Sequence, residues 1–350
     1  MITNLRLKNF RGIKEGELEL APLTILLGGN NSAKSTILEA LFLAPNPFRR
    51  VPYVIGDNTA AGVIQSTHET LSSAGYAFLL YNYTAKNAEI RCIVDGEEHL
   101  LQFVVPPENP DTILVLTNKE TGSKSSVIIA GKEEKVSRIG TLSMSQRGGS
   151  SQVNANKIFV DNSLLVSATL SKSGHRYVNV NWVTITNLGI DKAVAEDVSK
   201  LVYDKYTNIT IEPFLGGNLT IYGLLEDGRR IRLGDLGEGV QHYIIAKILY
   251  ELENPKVLLW DDIEAHLNPR MLLSIAEWFF DIVENGNQVI FTTHSLEAAR
   301  TIASLNEEKA KIYLTSLEKG NLKVKSLELK EMEDYLEAGI DVRVAEPLLL

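Results

Sequence analysis

With 350 residues, 44% of them hydrophobic and 23% charged, the chain has enough material for one large or two ordinary soluble globular domains. A net charge of -9 argues against a surface built for non-specific nucleic-acid binding, which needs Lys and Arg to displace counterions, and the pairs Arg49-Arg50 and Arg229-Arg230 read as solvated faces. The single cysteine, Cys92, excludes an intramolecular disulfide and reads as packing; the opening residues read as strand, and no run approaches the roughly 20 apolar residues a bilayer span needs, so the expectation is a cytoplasmic protein without a membrane partner.

Leu5, Leu7 and Phe10 alternate with Arg6, Lys8 and Asn9, and Glu17 to Leu20 alternates again after a turn, which predicts a hairpin. Thr24 to Leu27 is almost wholly apolar, hence a buried strand, and Ile37 to Leu43 reads as a helix that stops at Ala44-Pro45. Between them lies Gly28-Gly29-Asn30-Asn31-Ser32-Ala33-Lys34-Ser35-Thr36. Residues 46–160 change texture: β-rich runs such as Glu89 to Val94, Leu100 to Val105 and Ser126 to Ile129 predict an antiparallel insertion, and Thr141 to Ser151 a mobile loop or boundary.

Asp191 to Tyr206 reads as helix, and Ile209 to Ile211 and Leu219 to Tyr222 as strands. A helix from Val240 to about Leu252 leads into the apolar strand Val257 to Trp260. Asn268 and Pro269 supply an N-cap and first-turn proline for a helix ending at Asn285-Gly286, before the strand Gln288 to Thr293. Strands at Ile312 to Leu314 and Leu322 to Leu327 and a helix near Glu331 to Leu336 follow. Alternating buried strands and helices define an α/β protein with a mainly parallel sheet flanked by helices.

Four segments carry chemistry. A phosphate loop needs glycines so that backbone N–H groups can close on phosphates, a lysine to reach the β and γ oxygens, and a hydroxyl for Mg2+. Gly28 to Thr36 supplies these, with Lys34 and Ser35 in the last two roles, but places Ala33 where the pattern G-x-x-x-x-G-K-[ST] has its second glycine. Asp261-Asp262 ends a buried strand, where Asp261 can hold Mg2+ through water opposite Ser35 and Asp262 can act as general base toward an attacking water. His294 ends the next strand, where a neutral imidazole can hydrogen-bond a γ-phosphate or that water; His266 fits a turn before a helix equally well. Leu233 to Gln241 sets Gly237, Glu238 and Gly239 at a helix start, a second anion-binding end without a lysine.

In this order and spacing the segments resemble the ABC-type ATPase head, in the branch of RecF, the structural-maintenance-of-chromosomes (SMC) proteins and the overcoming-lysogenization-defect nucleases. The opening Leu5 to Gly12, followed by Leu23 to Gly28, looks like that branch and unlike a transporter ATPase. The resemblance implies a P-loop fold in one discontinuous head: 1–45 the phosphate-loop half, 46–160 the β-rich insertion, 161–250 a small lobe bearing the signature motif, and 251–350 the half with Asp261 and His294. It implies that Lys34, Ser35, Asp261, Asp262 and His294 bind and hydrolyse ATP with Mg2+, and that Gly237 to Gly239 cap the γ-phosphate of a second subunit in an ATP-dependent homodimer.

Arg11, an exposed hairpin residue by pattern, would approach the nucleotide as the family's opening arginine does. The implied work is DNA-related, in repair, chromosome organisation or defence, with DNA and a separately encoded nuclease or effector as partners. Asp262 stands where the family usually has glutamate, and the signature lacks its serine, so slow turnover is expected. A nucleotide switch with negligible hydrolysis and a transporter ATPase subunit are the competing readings. The family's Mg2+-coordinating glutamine has three candidates, Gln65, Gln146 and Gln152.

Overall fold

The computed structural model describes residues 1–44, 46–54, 59–71, 75–105, 112–118, 124–130, 163–265, 267–305, 307–343 and 349–350. Strands β1 (Ile2–Phe10) and β2 (Ile13–Glu19) form the opening hairpin, and β3 (Leu23–Leu27) runs through the glycine loop into α1 (Lys34–Leu43). Helix α2 (Ala60–His68) precedes β4 (Ala88–Val94), β5 (Glu97–Val104), β6 (Thr112–Asn118) and β7 (Lys124–Ala130). Then come β8 (Ser163–Val166), α3 (Ala168–Val180), α4 (Trp182–Asn187) and α5 (Ile190–Leu201). Strands β9 (Tyr206–Pro213), β10 (Leu219–Leu225) and β11 (Arg230–Arg232) lead to α6 (Glu238–Glu253) and β12 (Val257–Trp260). The chain closes with α7 (Pro269–Glu284), β13 (Gln288–Thr293), α8 (Leu296–Ser304), β14 (Ala310–Glu318), β15 (Asn321–Leu327) and α9 (Leu329–Glu337).

Twelve strands form one sheet in the order β7-β6-β5-β4-β1-β2-β15-β14-β3-β13-β12-β8. The run β14-β3-β13-β12-β8 is parallel throughout and is packed by α1, α6, α7 and α8. The other half is antiparallel, and β4 of the predicted insertion pairs directly with β1, so the β-rich segment extends the main sheet. Strand β15 joins the halves, antiparallel to β14 and parallel to β2 through Asn321 and Glu15. The three-stranded sheet β11-β10-β9 and helices α3 to α6 make the smaller lobe.

Local chemistry accounts for the element ends. Asn268 caps α7 by accepting the Met271 N–H at 2.9 Å, with Pro269 in the first turn, as the sequence predicts. The helix predicted to reach Tyr206 stops at Leu201 instead. Val202 is extended there, and the Ser199 hydroxyl takes the Tyr206 N–H at 2.7 Å, so the chain turns into β9. Cys92 is packing, with its thiol pushed up to about 12 by burial. Arg49 is not a solvated face: it is buried, donates to the Ser163 hydroxyl at 2.8 Å and stacks 4.3 Å over the Phe42 ring. The predicted loop at 141–151 lies outside the described residues, as do Gln146, Gln152 and His266.

Candidate nucleotide site

The glycine loop connects β3 to the start of α1. Gly28 is buried, and a Cβ there would meet the Thr315 carbonyl oxygen at 2.6 Å, so no side chain fits. Asn31 and Ala33 both have left-handed backbones, φ 62° and 69°. Ala33 thus keeps the conformation that a glycine would hold freely, at a cost of about 1 kcal/mol. The Lys34 ammonium donates to the carbonyls of Gly28 at 3.1 Å and Gly29 at 2.8 Å and to the Ser32 hydroxyl at 3.3 Å, so its charge is held inside the loop. Asn30 and Asn31 are exposed; Ser35 and Thr36, in the first turn of α1, are half-buried.

The ends of β12 and β13 converge on this loop. The Ser35 hydroxyl donates to Asp261 Oδ1 at 3.0 Å, joining residues 226 apart in sequence. Thr292, in β13, donates to the same oxygen at 2.7 Å and accepts the Asp262 N–H at 2.7 Å. Burial pushes the Asp261 carboxyl upward, opposed by the hydrogen bonds from Thr292 and Ser35 and reinforced by the charge of Asp262. Asp262 turns outward through a left-handed backbone, φ 49°, and is half exposed. His294 Nε2 lies 3.6 Å from Asp262 Oδ1, beyond a direct hydrogen bond, with both groups facing solvent.

Arg11 departs from the sequence expectation of an exposed turn. Its guanidinium is largely buried against the Glu39 carboxylate of α1 and 3.5 Å from His68 Nδ1. Burial lowers Arg11 to about 10, with the charge of Asp261 opposing the shift. Gln65 lines the same cavity as Arg11, with His68, Phe78 and Tyr83. The signature turn forms the exposed N-terminus of the 16-residue α6: Gly237 is the N-cap and Glu238 the first residue, and a Cβ on Gly237 would meet open space. Gly239 is buried.

A family model described as "AAA ATPase domain" matches residues 1–139, and one described as "AAA domain, putative AbiEii toxin, Type IV TA system" matches residues 155–299. The "ATP/GTP phosphatase" of Helicobacter pylori (strain ATCC 700392 / 26695) is 23% identical over 342 residues, covering 91% of each chain. Among solved structures, an SMC head bound to the C-terminal winged-helix domain of ScpA superposes with a TM-score of 0.51 at 16% identity, over 95% of this chain and 99% of that one. A head domain with an extended coiled coil, bound to the C-terminal domain of ScpA derived from Pyrococcus furiosus, gives 0.50 at 14% identity, over 96% and 98%. Both family models describe AAA ATPase domains, and the chain has the fold of the SMC heads.

The donor set of this head fits a hard cation. Ser35 and Asp261 offer a hydroxyl and a carboxylate. That suits Mg2+, which takes one or two protein oxygens and fills the rest from phosphates and water. Two residues of the head had no role in the sequence reading. Thr292 bridges Asp261 and Asp262, and Glu264 accepts from the Thr293 hydroxyl at 2.7 Å and from the His294 N–H. The Thr-Thr-His run that closes β13 carries a signal for Thr292; Glu264 has only its place three residues beyond Asp261. No helix among the described residues is long and apolar enough to cross a membrane.

Proposed function

We propose that this head binds ATP with Mg2+ and hydrolyses it slowly as a nucleotide-sandwiched homodimer. The observation that carries the reading is the Ser35–Asp261–Thr292 cluster, in which one carboxylate oxygen gathers the hydroxyl of the phosphate loop and that of the neighbouring strand. In this reading the loop N–H groups from Gly28 to Thr36 and the Lys34 ammonium hold the phosphates, and Ser35 and Asp261 hold Mg2+. Bound Mg2+ supplies charge neutralisation at the phosphate oxygens. Asp262 takes the proton of the attacking water and His294 orients that water or the γ-phosphate. Gly237, Glu238 and Gly239 on the exposed start of α6 face the γ-phosphate of the second subunit. Arg11 lends positive charge from beneath the loop.

Slow turnover follows from two features. Asp262 is one methylene shorter than glutamate, and it points outward from a left-handed residue. The turn Gly237 to Gly239 also offers no hydroxyl to the γ-phosphate cap. Phosphate release measured against protein concentration tests both parts: specific activity should rise with concentration as dimers form. Lys34→Ala should lower the rate by about 10^2-fold or more. A concentration-independent rate would remove the dimer, and an unchanged Lys34→Ala rate would remove the site. The process served, by this reading, is DNA-related, with a separately encoded nuclease or effector as the partner. Arg229 and Arg230 are already engaged by Asp227, Asp204 and Glu212, so a DNA contact would have to come from elsewhere on the dimer. Salt-dependent duplex binding with and without ATP is the check.

A further inference from the structure

The segment after α9 reaches the candidate site from an unexpected side. Val342 is fully buried and fixes this segment to the core. Its neighbours form a small device. Asp341 Oδ1 accepts the Arg343 backbone N–H and its Nε, each at 2.9 Å, and Oδ2 accepts from Nη2. The guanidinium fork is therefore oriented by its own chain before it meets anything else. The remaining nitrogen, Nη1, donates to the backbone carbonyl of His294.

That carbonyl sits between the end of β13 and the N-cap of α8, where the Ser295 hydroxyl takes the Ala298 N–H and the Ser295 carbonyl takes the Ala299 N–H. On the other side of the same residue, Glu264 accepts the His294 N–H. His294 is thus held by both of its backbone groups, Glu264 on one and Arg343 on the other, while its imidazole faces Asp262. Glu264, His294, Ser295 and Arg343 line one shallow cleft.

The geometry points to Arg343 as a positioning residue that aims His294 at the phosphate, coupling the C-terminal segment to turnover. The inference rests on the reading of His294 given above. Arg343 touches no reacting atom; it fixes the peptide from which the imidazole projects, and small errors in such placement are costly in rate. A basic residue some 50 positions after the histidine belongs to none of the four sequence segments that carry chemistry.

A double-mutant cycle on phosphate release by the full-length dimer is the test. Arg343→Ala should lower kcat about tenfold with KM for ATP unchanged, and Arg343→Lys, which keeps one donor, should recover part of it. In a His294→Ala background, Arg343→Ala should cause no further loss. The same tenfold loss in both backgrounds, or no loss in the native background, overturns the inference. If Arg343→Ala does not fold, Arg343→Lys and Asp341→Asn run the same cycle and are judged by the same rule. A His294→Ala protein with native turnover would instead overturn the reading of His294, and the role of Arg343 with it, so the two failures are told apart by that single variant.

Discussion

The two halves of the sheet are built on different rules. Strands β3, β8, β12 and β13 are buried at every position, as parallel strands covered on both faces must be. Strand β4 alternates buried and half-buried residues, and β1 alternates over most of its length, as in an antiparallel sheet with one face toward water. The chemistry follows the first rule: Gly28, Asp261 and His294 all lie just past the carboxyl ends of parallel neighbours, where open α/β sheets bind ligands. The antiparallel half contributes through its hairpin turn, where Arg11 reaches under α1. A site assembled at strand ends needs those strands immovable; an extension need only pair.

That contrast is broken most directly by putting a charge into each half. Ile290 is fully buried in β13, and Ile290→Lys should cost about 5 kcal/mol, because the ammonium would have neither water nor a partner. Gln102 in β5 is half-buried beside Glu89, and Gln102→Lys should stay within about 0.5 kcal/mol. Urea unfolding of both variants measures the difference. Equal costs would mean that the antiparallel half is as tightly enclosed as the parallel one.

A smaller effect sharpens the chemistry at the parallel strand ends. On the proposed role of Asp262, Asp262→Glu lengthens the reach toward the water and should raise the rate of phosphate release about tenfold, or about 1.4 kcal/mol of barrier. Its left-handed backbone makes the longer side chain cost some stability, so melting and turnover should move in opposite directions. A lower rate in a well-folded Asp262→Glu protein would show that Asp262 is not placed to meet the water.

The same contrast explains what was legible in the sequence. Largely apolar runs before Gly28, Asp261 and His294 gave away the parallel strands, because burial on both faces leaves few polar positions. The hairpin of β1 and β2 and the cap at Asn268 carried equally local signals. Helices α3 and α4 did not. Gly174 lies inside α3 because a Cβ there would meet Ile245 of α6 at 2.7 Å, so close helix packing is achieved with a residue that disfavours helix. Glu264 and Arg343 were hidden for another reason: each meets His294 through one of its backbone groups, and a backbone contact leaves no residue pattern to read.

The least of these effects belongs to the antiparallel side of the loop. His68 donates Nε2–H to Glu39 at 2.8 Å and leaves Nδ1 toward Arg11, an arrangement of the neutral ring. Burial, then the Arg11 charge, lowers it from 6.5 to about 4; Glu39 does not reverse this because Arg11 already neutralises it. Between those values the unfolded chain binds a proton that the folded one refuses. The stabilisation is therefore complete above pH 6.5 and is lost as pH falls toward 4. With a third of the ring exposed, solvent screening leaves about 1 kcal/mol. His68→Gln keeps a donor for Glu39 and cannot titrate. Urea unfolding at pH 7.5 and 4.5 should show the native protein losing about 1 kcal/mol more than the variant. Equal losses would mean that the ring takes up its proton without disturbing Arg11 and Glu39, and that this buried pair is insensitive to acid.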